Sequence, residues 1–153
     1  MFSSFNNLTQ DPSFPGGPHI YLRDRHLGVT QLVDVSTDGT IGNSTTQNNA
    51  PRQMSSDGRF LVFQSAADNL VPNDTNGFKD VFLRDIVLGT TTRVSLSYLG
   101  AQLAGPTSSS DIVSIDDSGR HIQFDYLGSD AVPNDTNGVY DVFVIDTAGS
   151  SCQ

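Results

Sequence analysis

Asp74, Asn76 and Asp80 can each offer a side-chain oxygen ligand around Gly77, and the same types recur as Asp135, Asn137 and Asp141 around Gly138. A loop turning at either glycine aims those oxygens inward. Hard cations want that chemistry, since Ca²⁺ takes about six to eight oxygens from carboxylates, amides and backbone carbonyls. Calcium is the cofactor these two loops suggest. A second reading of the same residues stays open: Asn-Gly is a favoured pair for a hairpin turn requiring φ > 0, and Asp and Asn cap their own backbone in such turns. On that reading Asp80 and Asp141 only accept hydrogen bonds where a strand begins.

No other set of residues has the spacing of a reactive site. The serines include no Gly-x-Ser-x-Gly elbow, and there is no Gly-rich phosphate loop. No catalytic residues are predicted, and the chain reads as a non-enzyme. His19, His26 and His121 occupy unrelated positions and are expected at the surface or in packing. Asp116 and Asp117 form a like-charge pair beside Ser118-Gly119, which reads as a solvated turn. Asp24, Asp85 and Asp146 each precede a turn and are expected to hydrogen-bond between repeat units, with Arg59 and Arg120 pairing with repeat acids.

These loops belong to a repeat. The run Val71-Pro72-Asn73-Asp74-Thr75-Asn76-Gly77 returns unchanged as residues 132–138, each copy followed two residues later by Asp-Val-Phe, at an interval of 61 residues. The interval also aligns Gly58-Arg59 with Gly119-Arg120, Phe63 with Phe124 and Asp85 with Asp146. Carried back once more, it places Tyr21-Leu22-Arg23-Asp24 on Phe82-Leu83-Arg84-Asp85, and Gly28, Val33, Ser36 and Gly39 on Gly89, Val94, Ser97 and Gly100. There are thus about two and a half copies. Each is one supersecondary unit that buries its apolar faces by stacking on its neighbours. In the first copy the positions of Asp74, Asn76 and Asp80 hold Ser13, Pro15 and His19, so no third oxygen-rich loop is expected.

Within the second copy, aromatic and β-branched runs bounded by turn residues predict strands over residues 50–55, 59–65, 80–85 and 91–96. The third copy repeats 112–115, 120–126 and 141–146 and is expected to lack a fourth strand. The first supplies 20–24 and 29–35 with a degenerate stretch at 4–8. The whole chain, 1–153, reads as one repeat domain with partial units at 4–36 and 111–149 and a full unit at 50–97.

Composition agrees with an all-β chain. All 17 acidic residues are Asp, and Asp, Asn, Gly, Ser and Thr favour turns over helix interiors. The net charge of -9 argues against nucleic acid and against an anionic membrane as partners, since both reward clustered Lys and Arg. Residues 1–10 have neither a basic segment nor a long apolar run, and nothing approaches a membrane span. A soluble protein of open compartment is expected. Cys152 is the only cysteine, so no intrachain disulfide forms, and it reads as a bystander in the tail.

The order Ser56-Asp57-Gly58-Arg59, a strand ending Phe63-Gln64-Ser65, then Asn69-Leu70-Val71-Pro72 through Asp74-Thr75-Asn76-Gly77 to Asp80-Val81-Phe82 and Asp85, resembles the TolB-type, WD-repeat-like β-propeller repeats of bacterial proteins. The likeness covers residues 50–97 and 111–149 well and 4–36 weakly. It implies propeller blades, about three per chain, two of them incomplete. The Asp-rich loops are also similar to the calcium loops of integrin-type propellers, without that family's second Asp before the Gly. Propellers typically have about four to eight blades, so this count implies completion by oligomerisation, as a homodimer or higher homo-oligomer. The function expected is binding of a protein, glycan or small ligand at the loops. The alternative is a fragment or accessory propeller part of a larger enzyme or surface protein.

Overall fold

The structure, a computed structural model, describes residues 2–4, 18–47, 52–107, 113–148 and 151–152. Among them there is no helix. Strands β1 (Phe2–Ser4), β2 (His19–Asp24) and β3 (Val29–Leu32) form the first sheet. The second holds β4 (Thr46–Gln47), β5 (Phe60–Ser65), β6 (Asp80–Asp85) and β7 (Thr90–Arg93). The third holds β8 (Ser114–Ile115), β9 (His121–Tyr126), β10 (Asp141–Asp146) and β11 (Ser151–Cys152). Every neighbouring pair is antiparallel and consecutive, so each sheet is a meander.

The register keeps the 61-residue interval. Phe63 pairs with Phe82 and Phe124 with Phe143, and Phe2 pairs with Tyr21 at the corresponding position of the first sheet. The first strand of the second sheet is split: Thr46 pairs with Ser65, whereas seven residues on Gln53 accepts from Val62 and Met54 bridges to Leu61. The third sheet repeats this, with Thr107 bridged to Tyr126 and Ser114 paired with Gln123.

Several expectations are corrected here. The opening strand expected at 50–55 is β4 at Thr46–Gln47, and 48–51 lie outside the described residues. The first-copy strand is Phe2–Ser4 rather than 4–8, of which 5–8 lie outside. The runs 29–35 and 91–96 stop as strands at Leu32 and Arg93, because Val35 and Leu96 instead bridge Ile41 and Gln102 across the next turn. The third unit does have a fourth strand: Ser151 pairs with Asp146 and Cys152 with Ile145. Two residues carry no periodic pattern, which is why the sequence hides it, and Cys152 is a strand residue rather than a bystander.

Alternation in β5 and β6 explains their near-continuous apolar sequence, since successive strand side chains face opposite ways. Leu61, Phe63 and Phe82 enter one buried cluster with Ile20 and Val33 of the first unit. Val62, Val81 and Leu83 enter another with Ile122, Phe124 and Phe143 of the third. Phe63 and Phe82 stack at 5.7 Å between centroids, and Phe124 and Phe143 lie 6.0 Å apart. The second sheet is thus the shared wall between two apolar layers.

Polar clasps join the units. The Thr37 hydroxyl accepts from the Thr91 amide at 3.0 Å, and the Thr91 hydroxyl donates to the Val35 carbonyl. Arg84 Nη1 reaches the Ser36 carbonyl at 3.3 Å. Further along, the Asn43 amide donates to Asn69 Oδ1, and one period later the Ala104 amide donates to Asp130 Oδ2, each at 2.9 Å.

The acids before the turns serve their own unit, not the neighbouring one. Asp24 Oδ1 accepts from the amides of His26 and Leu27, and Asp85 Oδ1 from Val87 and Leu88. Asp146 Oδ1 accepts from Ala148. The expectation of hydrogen bonds between units fails because the residue sits where a turn leaves amides unpaired. The arginine pairing does form: Arg59 grips Asp85 with Nη2 at 2.7 Å, and Arg120 grips Asp146 with Nη2 at 2.5 Å. These bonds hold the Asp85 carboxyl below its usual range and that of Asp146 down at about 2.

Gly58 and Gly119 close equivalent turns at φ +74 and +76. They differ in surroundings, since a Cβ on Gly119 would lie 2.3 Å from Phe60 Cδ2, while one on Gly58 meets nothing within 4 Å. Gly58→Ala is expected to cost only the left-handed backbone conformation, about 1 kcal/mol. Gly119→Ala adds the overlap with the Phe60 ring and is expected to cost about 2–3 kcal/mol. Urea unfolding of the two variants measures the difference; equal losses would mean that Phe60 does not stack on the third unit.

Candidate functional site

The second Asp loop is built where β5 returns to β6 through residues 66–79. Asn73 (φ 59) and Gly77 (φ 71) take the left-handed conformation. Asn76 is not among the positive-φ residues, so Asn76-Gly77 is not the two-residue hairpin turn of the simpler reading. Its Oδ1 instead accepts from the Phe78 amide at 2.9 Å, and its Nδ2 donates to the Leu103 carbonyl at 3.0 Å and to Asp80 Oδ2 at 3.3 Å.

Asp80 opens β6 with 1% of its surface exposed. Its Oδ1 accepts from Ser95 Oγ at 2.6 Å, and that oxygen accepts from the Val81 amide at 3.1 Å. Gln102, arriving from the connection to the third unit, donates Nε2 to Asp74 Oδ1 at 2.8 Å and to Asp80 Oδ2 at 3.0 Å. Its Oε1 takes the Thr75 amide at 3.2 Å. Arg93 Nη1 stands 3.5 Å from each of the two carboxylates, with the Arg93 side chain 10% and the Asp74 side chain 4% exposed.

Asp74, Asn76 and Asp80 are therefore brought together, and a guanidinium stands between the two acids. Burial, and then the charge of Asp80, push the Asp74 carboxyl up; the Gln102 bond and Arg93 oppose the rise. The positive charge of Arg93 therefore stands beside both carboxylates that the sequence suggests as cation ligands.

The third loop keeps the local turn without that partner. Gly138 has φ 66, Asn137 Oδ1 accepts from Val139 at 3.0 Å, and Asn137 Nδ2 donates to Asp141 Oδ2 at 2.9 Å. Asp135, Asn137 and Asp141 line a concavity of about 350 Å³ with Val132, Pro133, Asn134, Val142 and Phe143. Asp135, Asn137 and Asp141 offer oxygen donors facing no arginine among the described residues. Groups of three or more His, Cys, Asp or Glu side chains able to hold a metal ion do not occur among the described residues.

In the first unit Ser13 and Pro15 lie outside the described residues, and His19 takes the place of Asp80. It is buried rather than at the surface, with Nδ1 2.7 Å from Asp34 Oδ2; Asp34 Oδ1 accepts from the Ile20 amide at 3.0 Å. Asp34 is one period before Ser95, so the acid and its partner have exchanged places between the start of a strand and the segment after its hairpin partner. His121 Nδ1 lies 2.8 Å from Asp116 Oδ2, and Asp116 also accepts from Ser118 and from the Arg120 amide, organising the turn before β9.

Sequence reasoning missed Arg93, Gln102, Ser95 and Asp34. Asp34 was traceable, because the interval sets His19 on Asp80 and Asp34 on Ser95, a swap of acceptor and donor. Arg93 and Gln102 fall on Leu32 and Ile41 and carry no repeat signal. Comparison of the chain with protein-family models and with curated proteins gives no match. Among the described residues no helix is long and apolar enough to cross a membrane.

Arg93→Met is expected to lower stability by about 3 kcal/mol, because two buried carboxylates lose their cation. Adding Asp74→Asn removes one of the two charges and should recover part of that loss. Chemical denaturation of the single and double variants checks both; additive losses would mean that Arg93 and Asp74 do not communicate.

Proposed function

We propose that this chain is a non-catalytic β-propeller binding module that completes itself by assembling with a second copy. The observation that carries the reading is the face-to-face stacking of equivalent meander sheets at a 61-residue period, with an apolar layer between each pair. Stacked antiparallel meanders are the construction of a propeller, and the three sheets among the described residues fall short of the about four needed to close one. A second chain supplies the missing sheets. Ligands of such a module, whether protein, glycan or small molecule, bind at the loops joining the strands.

Multi-angle light scattering at micromolar concentration is expected to give about twice the 16.4 kDa chain mass. Each copy carries a net charge of -9, so the measurement belongs at roughly 0.15 M salt, where exposed charges are screened beyond about 8 Å. A cooperatively folding monomer would overturn the assembly. A poorly folded one would instead favour the alternative, an accessory piece of a larger enzyme or surface protein.

Calcium is part of this reading at the third loop, where the oxygens of Asp135, Asn137 and Asp141 face no arginine among the described residues. A hundredfold excess over Kd stabilises a folded site by about 2.7 kcal/mol. The melting temperature is expected to rise with millimolar calcium and fall with chelator. Asp141→Asn should remove more of that rise than Asp80→Asn. A melting curve indifferent to both additions returns the third loop to a plain turn.

A further inference from the structure

The strands β6 and β10 are near copies, Asp-Val-Phe-Leu-Arg-Asp and Asp-Val-Phe-Val-Ile-Asp, yet their surroundings differ. In β6 both faces are covered, with Val81 0% and Leu83 8% exposed. In β10 only Phe143 and Ile145, which face the second unit, are buried. One period after Val81 and Leu83 stand Val142 and Val144, 57% and 40% exposed. These two β-branched residues share the sheet face whose counterpart in the second unit, bearing Val81 and Leu83, is covered.

The covering group is indicated by the chain's own interfaces. The face of the second sheet that holds Val62, Val81 and Leu83 is closed by the third unit, through Ile122, Phe124 and Phe143. The face of the first sheet that holds Ile20 and Val33 is closed by the second unit, through Leu61, Phe63 and Phe82. At both interfaces a repeat unit covers a repeat unit, and the interval carries that interface onto Val142 and Val144.

We infer that the β10 face bearing Val142 and Val144 is the surface through which a second copy of this chain docks, one of its repeat units lying on the third sheet as the third lies on the second. This inference rests on the assembly proposed above and names the surface that makes it. Gln123 stands one period after Val62, so the contact is less apolar than the internal one. A reversible association, rather than a permanent one, follows from that exchange.

Sedimentation analysis of the full chain tests this. The unaltered chain should dimerise, and Val142→Asp with Val144→Asp should weaken the dimer by about tenfold or more. Because neither side chain is buried in the single chain, the variant should keep the melting behaviour of a folded monomer. If it misfolds, the milder pair Val142→Thr and Val144→Thr keeps the β-branched shape and should weaken the dimer by a smaller factor. A dimer unaffected by the threonine pair and by a folded aspartate pair overturns the docking surface while leaving the assembly standing. A monomeric unaltered chain overturns the assembly, and this surface with it.

Discussion

A sheet of four short strands has two faces, and in the middle of this chain both are apolar. Leu61, Phe63 and Phe82 need one neighbour and Val62, Val81 and Leu83 need another. Uncovering either set would cost about 2 kcal/mol per large side chain, which is far more than any single turn or clasp contributes. Face-to-face burial therefore determines the arrangement. The turns, the split first strands and the inter-unit hydrogen bonds tune how closely the sheets approach; the split strands of the second and third sheets and the bonds of Asn43 to Asn69 and Ala104 to Asp130 repeat at the interval of the apolar layers.

Polar groups near these layers have to find partners inside the same narrow geometry, and the units solve this differently. At the first residue of β6, Asp80 uses Ser95, Gln102 and Arg93; at the equivalent residue of β2, His19 uses Asp34. Each solution ties the start of one strand to the segment after its hairpin partner. Gln102 goes further, because it belongs to the connection into the third unit and so couples the loop of one unit to the placement of the next. A buried charge without its partner is costly, which makes these networks a check on correct stacking as much as a source of stability.

Much of the architecture was legible in the sequence because repetition is visible without any neighbour: the long strands, the Asp-Gly turns and the pairing of Arg59 with Asp85 all recur at one interval. Short pieces were not. Phe2–Ser4, Thr46–Gln47 and Ser151–Cys152 are strands through their hydrogen bonds to a longer neighbour, and two or three residues hold no periodicity of their own. The loop residues Asp74, Asn76 and Asp80 were found as a group, but what they face was not. Arg93 and Gln102 come from elsewhere in the chain, and the first copy has Leu32 and Ile41 in their places.

Position in the stack also decides what one motif becomes. Asp80 and Asp141 begin strands of nearly the same sequence, in the same local turn with the same asparagine contact. One is sealed at 1% exposure beside an arginine; the other lines an open concavity. Val81 and Val142 also diverge, because the third sheet lies over Val81. The chemistry and the stickiness of a repeat are therefore properties of its neighbours. Among the described residues, the third unit exposes counterparts of groups that the second unit buries.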